Sequence, residues 1–401
     1  MAYFNAQNGC QKCTISGEYS YLSHCNYFPQ ATSQKRTDSG FRNHIYGSHH
    51  KSDSPLLRLP IDMIADFPVG DSLHLIDLGI MKKCLLGWRD GKFGNYTTKW
   101  STRDISEISR LLRQIKLPRE IHRSVRGLDY VGYWKGSEFR SFLYYIGIVV
   151  LKPILPPDVY EHFLTLFCAI TICSSETYFH LIDLAQNMLV HYSQSSYARI
   201  YGEDFITSNV HNLTHLVDDV KRFGVLSKFS TYPFENKLYQ IKNMIRNGHK
   251  PLAQVAKRIC ELHQVANDTD VCDKRFPVLK KPIFNSDSDS EVTLYARVEF
   301  EEYSLSNDMA NKWFLTQNTQ IVEFDHATQH NGLLTLSGLA LKNISNFFEK
   351  PIQSKKLNIF YSNCETENVM KYDPSSIRCK MVAILLKDRG TVFIPLLHTL
   401  C

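Results

Sequence analysis

The sequence predicts a mixed α and β protein, in which a long, mostly helical body gives way to a separate small β-barrel or sandwich at the C-terminal end. Three observations carry this expectation. From Ser101 to Asn187 apolar residues recur at spacings of three, four and seven, the period of a helix that buries one face. Beyond the polar, acidic run from Asn285 to Glu291 the period changes from about 3.6 to 2, the alternation of strands. A chain of 401 residues, 43% hydrophobic and 21% charged, is ample for a large core and suits two or three domains.

The net charge of +6 is mild, so any site for a polyanion has to come from local clustering. Eleven cysteines, mostly in apolar runs such as those around Cys168 and Cys173, do not form a secreted disulfide scaffold. A reducing compartment, nuclear or cytoplasmic and not secreted, is expected. Residues 1 to 7 show neither a basic n-region nor an apolar h-region, so no signal peptide is expected. The longest apolar runs, Phe142 to Leu151 and Phe163 to Cys173, fall short of the roughly 18 to 20 residues of a membrane span. No membrane partner is expected.

In chain order, residues 1 to 55 are polar and aperiodic, an irregular region with room for a metal to pin it. They contain Cys10-Gln11-Lys12-Cys13, a turn that can present two thiolates to one ion. Prolines and Gly70 break the stretch from Pro55 into short extended pieces, after which Asp71 is placed to cap a helix through Leu75, Leu78 and Lys82. A capping Asp71 with a structural His74 is the preferred reading of Asp71-x-x-His74. Helices follow over Asp104 to Ile115, Trp134 to Val150, Pro157 to Cys173 and Glu176 to Tyr192, broken by Pro118, Pro153, Pro156 and Pro157. Glu138 is read as a first-turn carboxylate favoured by the helix dipole. Short strands are expected at residues 292–300, 319–324, 333–338, 357–360, 381–386 and 391–395.

Two stretches carry chemistry. In Val210-His211-Asn212-Leu213-Thr214-His215 a helix would project both imidazoles from one face. Asn212 stands where a zinc peptidase needs glutamate, so peptidase chemistry is unsupported. Cys10 and Cys13 with His211 and His215 would instead complete a closed tetrahedral site, which predicts structural zinc with no open position for catalysis. Downstream, Glu235 opens an amphipathic helix whose apolar stripe is Phe234, Leu238, Ile241 and Ile245, while Lys237, Lys242 and Arg246 take the other faces. From Asp219 to Arg258 there are nine Lys or Arg against two acids. That local excess is the footprint expected at a phosphate backbone.

Taken in order, Gly9-Cys10-x-x-Cys13, Asp71-Ser-Leu-His74-Leu-Ile-Asp-Leu-Gly79, Trp134-Lys-Gly-Ser-Glu-Phe-Arg140, Val210-His-Asn-Leu-Thr-His215 and Phe234-Glu-Asn-Lys-Leu238 resemble the C-terminal two thirds of a CACTA (En/Spm)-like DNA transposase. Phe393 to Thr399 resembles the β-domain tail of insect members. The resemblance implies an RNase H-like nuclease core, interrupted by a large helical insertion, in which two aspartates and a glutamate hold two Mg²⁺ ions for DNA cleavage and strand transfer. It maps Cys10, Cys13, His211 and His215 onto zinc ligands and Glu235 onto the last catalytic acid. Residues 1–13 and 211–250 would then be the remnant of the core, 14–210 the insertion, 251–290 a helix and acidic linker, and 291–401 the β domain. Both aspartates of the family would precede Cys10, where no acid stands. The chain is therefore expected to be an N-terminally truncated transposase, inactive alone, with a domesticated non-catalytic DNA-binding or scaffold protein as the alternative. Duplex DNA is the expected partner, and a homo-oligomer is left open.

Overall fold

Between His162 and Cys173 the chain carries no Asp, Glu, Lys or Arg, and this accounts for the centre of the molecule. In a computed structural model, which describes residues 1–29, 33–96, 99–268, 275–283, 293–386 and 390–400, the helix Pro157–Cys173 buries 14 of its 17 residues. A helix that is apolar all round is stable only when enclosed. It starts where Pro157 supplies a fixed φ and needs no donor. Around it pack Ile182–His191, Phe142–Ile146, Gly147–Val150 and Lys82–Asp90, with Trp88 set edge-on to Phe163 at 5.9 Å.

The expected helices are present, with local detail that periodicity does not carry. Thr102–Gln114 begins at a capping box in which Ser101 and Asp104 satisfy each other's backbone N–H. Glu138 is a first-turn carboxylate and is also buried, held by Arg126 at 2.7 Å. Asp71 caps as expected, accepting from the N–H groups of Leu73 and His74. The helix it starts is π-helical over Ser72–Met81 before Lys82–Asp90 continues as α-helix. Two further π-helical turns lie at Phe142–Ile146 and Tyr192–Ser196.

A hairpin of β1 (Glu18–Ser20) and β2 (Cys25–Tyr27) stands in the N-terminal region. Among the described residues the C-terminal part is one antiparallel sheet of ten strands: β3 (Val278–Ile283), β4 (Leu294–Glu299), β5 (Ser304–Ser306), β6 (Trp313–Thr316), β7 (Ile321–His330), β8 (Leu333–Leu341), β9 (Phe360–Ser362), β10 (Thr366–Tyr372), β11 (Ile377–Leu385) and β12 (Thr391–Pro395). Its path runs β10-β8-β7-β6-β11-β12-β9, and β4 joins at β7, bringing β3 and β5. Both β7 and β11 change partner along their length, with register irregularities at Phe324/His326 and Ile377/Cys379. Such irregularities bend a strand from one sheet direction to another. Among the described residues no pairing joins β10 to β9.

Two expectations need revision here. The sheet begins at Val278, ahead of residue 291: β3 was not legible as a strand because Pro282 interrupts it, which an edge strand paired only to β4 tolerates. The β region is also not separate. Along β11 and β12 both faces are apolar, Met381 and Phe393 on one and Val382, Ile384, Val392 and Ile394 on the other. The second face shares its core with the helical body. A buried ion pair pins this seam: Lys380 Nζ reaches Glu120 at 2.8 Å, the carbonyl of Ser304 at 2.8 Å and Asn311 Oδ1 at 2.7 Å. The acidic run at 285–291 lies outside the described residues.

Candidate metal centre

The turn at Cys10 depends on Gly9, where a Cβ would sit 2.3 Å from the carbonyl oxygen of Tyr3. The histidines come from the helix Ser208–Asn212 and the 3₁₀ turn Leu213–His215 that continues it, so the four-residue spacing keeps both rings on one face. All four side chains are buried, and one ligand atom from each lies within 4.8 Å of the others. Cys10 Sγ to Cys13 Sγ is 3.5 Å, Cys13 Sγ to His211 Nε2 3.3 Å, Cys10 Sγ to His215 Nε2 3.5 Å, and His211 Nε2 to His215 Nε2 3.3 Å.

These edges test the fit. A tetrahedral zinc ion with bonds of about 2.3 Å to sulfur and about 2.0–2.1 Å to nitrogen implies donor separations of roughly 3.8 Å for S to S, 3.6 Å for S to N and 3.3 Å for N to N. The cage has the chemistry and the size to hold such an ion. The hydrogen bond with Cys10, followed by those with His211 and His215, holds the Cys13 thiol far below its usual range, while the same bond and burial push Cys10 up.

The surroundings of the cage contain residues that the sequence reading passed over. Lys12, between the two cysteines, pairs with Asp219 at 2.8 Å and donates to the carbonyl of Ile64 at 3.0 Å. Asp219 also accepts from the N–H groups of Val69 at 2.6 Å and Gly70 at 3.0 Å. The available signal was spacing: Asp219 continues the stripe of His211 and His215 by four more residues. Phe28 stacks on His211 with ring centroids 5.5 Å apart, closing the cage from the hairpin side.

Glu235 lies elsewhere, in the first turn of Tyr232–Met244. Its carboxylate lies 3.8 Å from His74 Nε2, while His74 Nδ1 sits 2.6 Å from Asp71. Among the described residues one group of three or more potential metal ligands is drawn together, and Glu235 is not in it. The helix bearing Glu235 is rooted by three consecutive residues. Ser230 accepts from Ser72 at 2.8 Å, Thr231 donates from N–H and hydroxyl to Asp71 at 2.9 and 2.7 Å, and Tyr232 donates to Asp77 at 2.7 Å. Gly136 makes room for this root, since a Cβ there would meet the Tyr232 hydroxyl at 2.7 Å.

Past its root the helix buries none of its residues. The expected apolar stripe is therefore uncovered, with Phe234 69% and Leu238 59% exposed. Of the nine cations between Asp219 and Arg258, Lys221, Arg222, Lys228, Lys257 and Arg258 are engaged by carboxylates. Lys237, Lys242 and Arg246 are exposed and, among the described residues, in no ion pair.

Among the described residues no helix is long and apolar enough to cross a membrane. A family model described as a domain of unknown function, DUF8592, matches residues 277–396, which is the β sheet from β3 to β12. No curated protein and no solved structure matches the chain.

Proposed function

We propose that this chain is the zinc-stapled part of a CACTA (En/Spm)-like transposase, which holds duplex DNA along the arm from Tyr232 to Arg246 and does not cut it by itself. The observation that carries the reading is the cage: the four residues that the resemblance maps onto zinc ligands, from positions 198 and 205 apart in sequence, meet in one buried group. A zinc ion held there would contribute folding energy and no reacting group, since four protein donors leave no open position. In this reading residues 1–13 and 211–250 belong to an RNase H-like core, the helices of 14–210 are its insertion, and the C-terminal sheet is a barrel or sandwich appended to it.

The arm supports the second half. Lys237 and Lys242 on the exposed helix that has Glu235 in its first turn, and Arg246 just past the end of that helix where the sequence had placed it within, are in no ion pair among the described residues, so a phosphodiester backbone lying along the arm would meet three cations. Glu235 would be one carboxylate of the family's two-Mg²⁺ centre, and one carboxylate beside a histidine does not make that centre. Binding without cleavage is the expected behaviour. Affinity for duplex DNA should fall steeply with salt, by about 0.9 log units per log unit of salt for each phosphate neutralised. Replacing Lys237, Lys242 and Arg246 by alanine together should flatten that slope, whereas Glu235→Gln should leave binding intact. An unchanged slope in the triple variant, or Mg²⁺-dependent nicking by the unmodified chain, would overturn the reading.

A further inference from the structure

Next to the metal cage, on the side of His215, is a cleft of about 420 Å³ whose lining includes Lys12, Lys35, Arg36, Lys221 and Arg222. Four of these cations have a carboxylate: Lys12 has Asp219, Lys35 has Asp218, Lys221 has Asp183 and Arg222 has Asp66. Arg36 has none among the described residues. It is only 6% exposed; its Nε donates to the carbonyl of Cys10 at 3.1 Å and its guanidinium lies 4.5 Å from the centroid of the Tyr46 ring. Its two terminal nitrogens have no hydrogen-bond acceptor among the described residues. The nearby thiolates do not supply the missing charge once a divalent ion is bound, because two thiolates cancel it; this step rests on the zinc reading above. A buried guanidinium with no counter-charge is costly, and its fork of N–H groups matches two oxygens of a tetrahedral oxyanion.

We infer that this cleft is a phosphate site, with Arg36 as the buried fork and Lys35 and Lys221 as cations of the rim. The phosphate comes either from the free anion or from a nucleic-acid strand, and the test separates the two. Calorimetric titration of the zinc-loaded full chain with inorganic phosphate at low ionic strength should show saturable binding of one phosphate per chain. Arg36→Gln should weaken it about tenfold or more, and Arg36→Lys, which keeps the charge without the fork, should recover only part. Zinc content measured on the same samples identifies a failure of the metal reading separately. Should Arg36→Gln not fold, Lys35→Ala and Lys221→Ala should each weaken phosphate several-fold at unchanged zinc content. If a 5′-phosphorylated oligonucleotide displaces phosphate and its unphosphorylated twin does not, the site takes a strand end; if neither does, it takes the free anion. No saturable binding to the unmodified zinc-loaded chain, or equal binding by folded Arg36→Gln, overturns the inference.

Discussion

Asp77 is the residue whose protonation the fold alters most legibly. It is 1% exposed on the π-helical stretch, and burial pushes its carboxyl up to about 8 against the hydrogen bond from Tyr232 and the attraction of Arg140. The folded form therefore binds a proton more tightly than the unfolded chain, so the stability this group contributes at low pH is lost as pH rises from about 4 to about 8. Asp77→Asn keeps an acceptor for the Tyr232 hydroxyl and removes the titration. Urea unfolding between about pH 6 and pH 9 should show a falling midpoint for the unmodified protein and a flatter one for the variant; equal slopes would show that Asp77 is ionised throughout.

At the scale of elements, the junction between the π-helical stretch and the exposed arm hangs on Asp71, which accepts from Leu73, His74 and Thr231 together. Asp71→Ala removes a helix cap and the arm's tether in one step, which should cost about 2 kcal/mol. Amide exchange should accelerate across residues 231–246 ahead of the rest of the molecule, and uniform acceleration would argue against a tethered arm. The sequence made the cap legible, because an aspartate before an apolar helical run has few other uses. It also marked the start of Pro157–Cys173, where proline and an unbroken apolar run agree. It could not say that the stripe of Phe234 and Leu238 lies open to solvent, since amphipathic spacing records that a face is apolar and not what covers it. β3 stayed hidden for a related reason: its two lysines and Pro282 suit an edge, and edge strands lack the alternation that betrays central ones.

At the scale of the molecule, two long-range devices join the parts. The first is the seam between helices and sheet, where Lys380 is fully buried and burial pushes its ammonium down to about 8, with Glu120 opposing that shift. Removing one partner of a buried pair leaves a lone charge, so Lys380→Met should destabilise by about 3–5 kcal/mol in denaturant unfolding. The double change Lys380→Met with Glu120→Leu should recover most of the loss, and a single variant costing under about 1 kcal/mol would show that water reaches the pair. The sheet's attachment was hidden because alternation along β11 and β12 resembles that of a free-standing domain until both faces prove apolar.

The second device is the cage, and here the sequence reading reached the four residues that the fold draws together: spacing brought out each pair, the four donors of a closed site joined Cys10 and Cys13 to His211 and His215 across the helical body, and the resemblance mapped the same four. What spacing could not supply is the setting, in which Lys12 and Asp219 tie the cysteine turn to residues 69 and 70. A metal held there would staple segments this far apart and be part of the folding energy, so chelation should then lower the melting temperature and not merely remove an ion. The most direct measurement is the metal content of the purified full chain beside its His211→Ala/His215→Ala double variant. The account predicts one zinc per chain in the first and none in the second; a zinc-free unmodified protein, or zinc retained in full by the double variant, would contradict it.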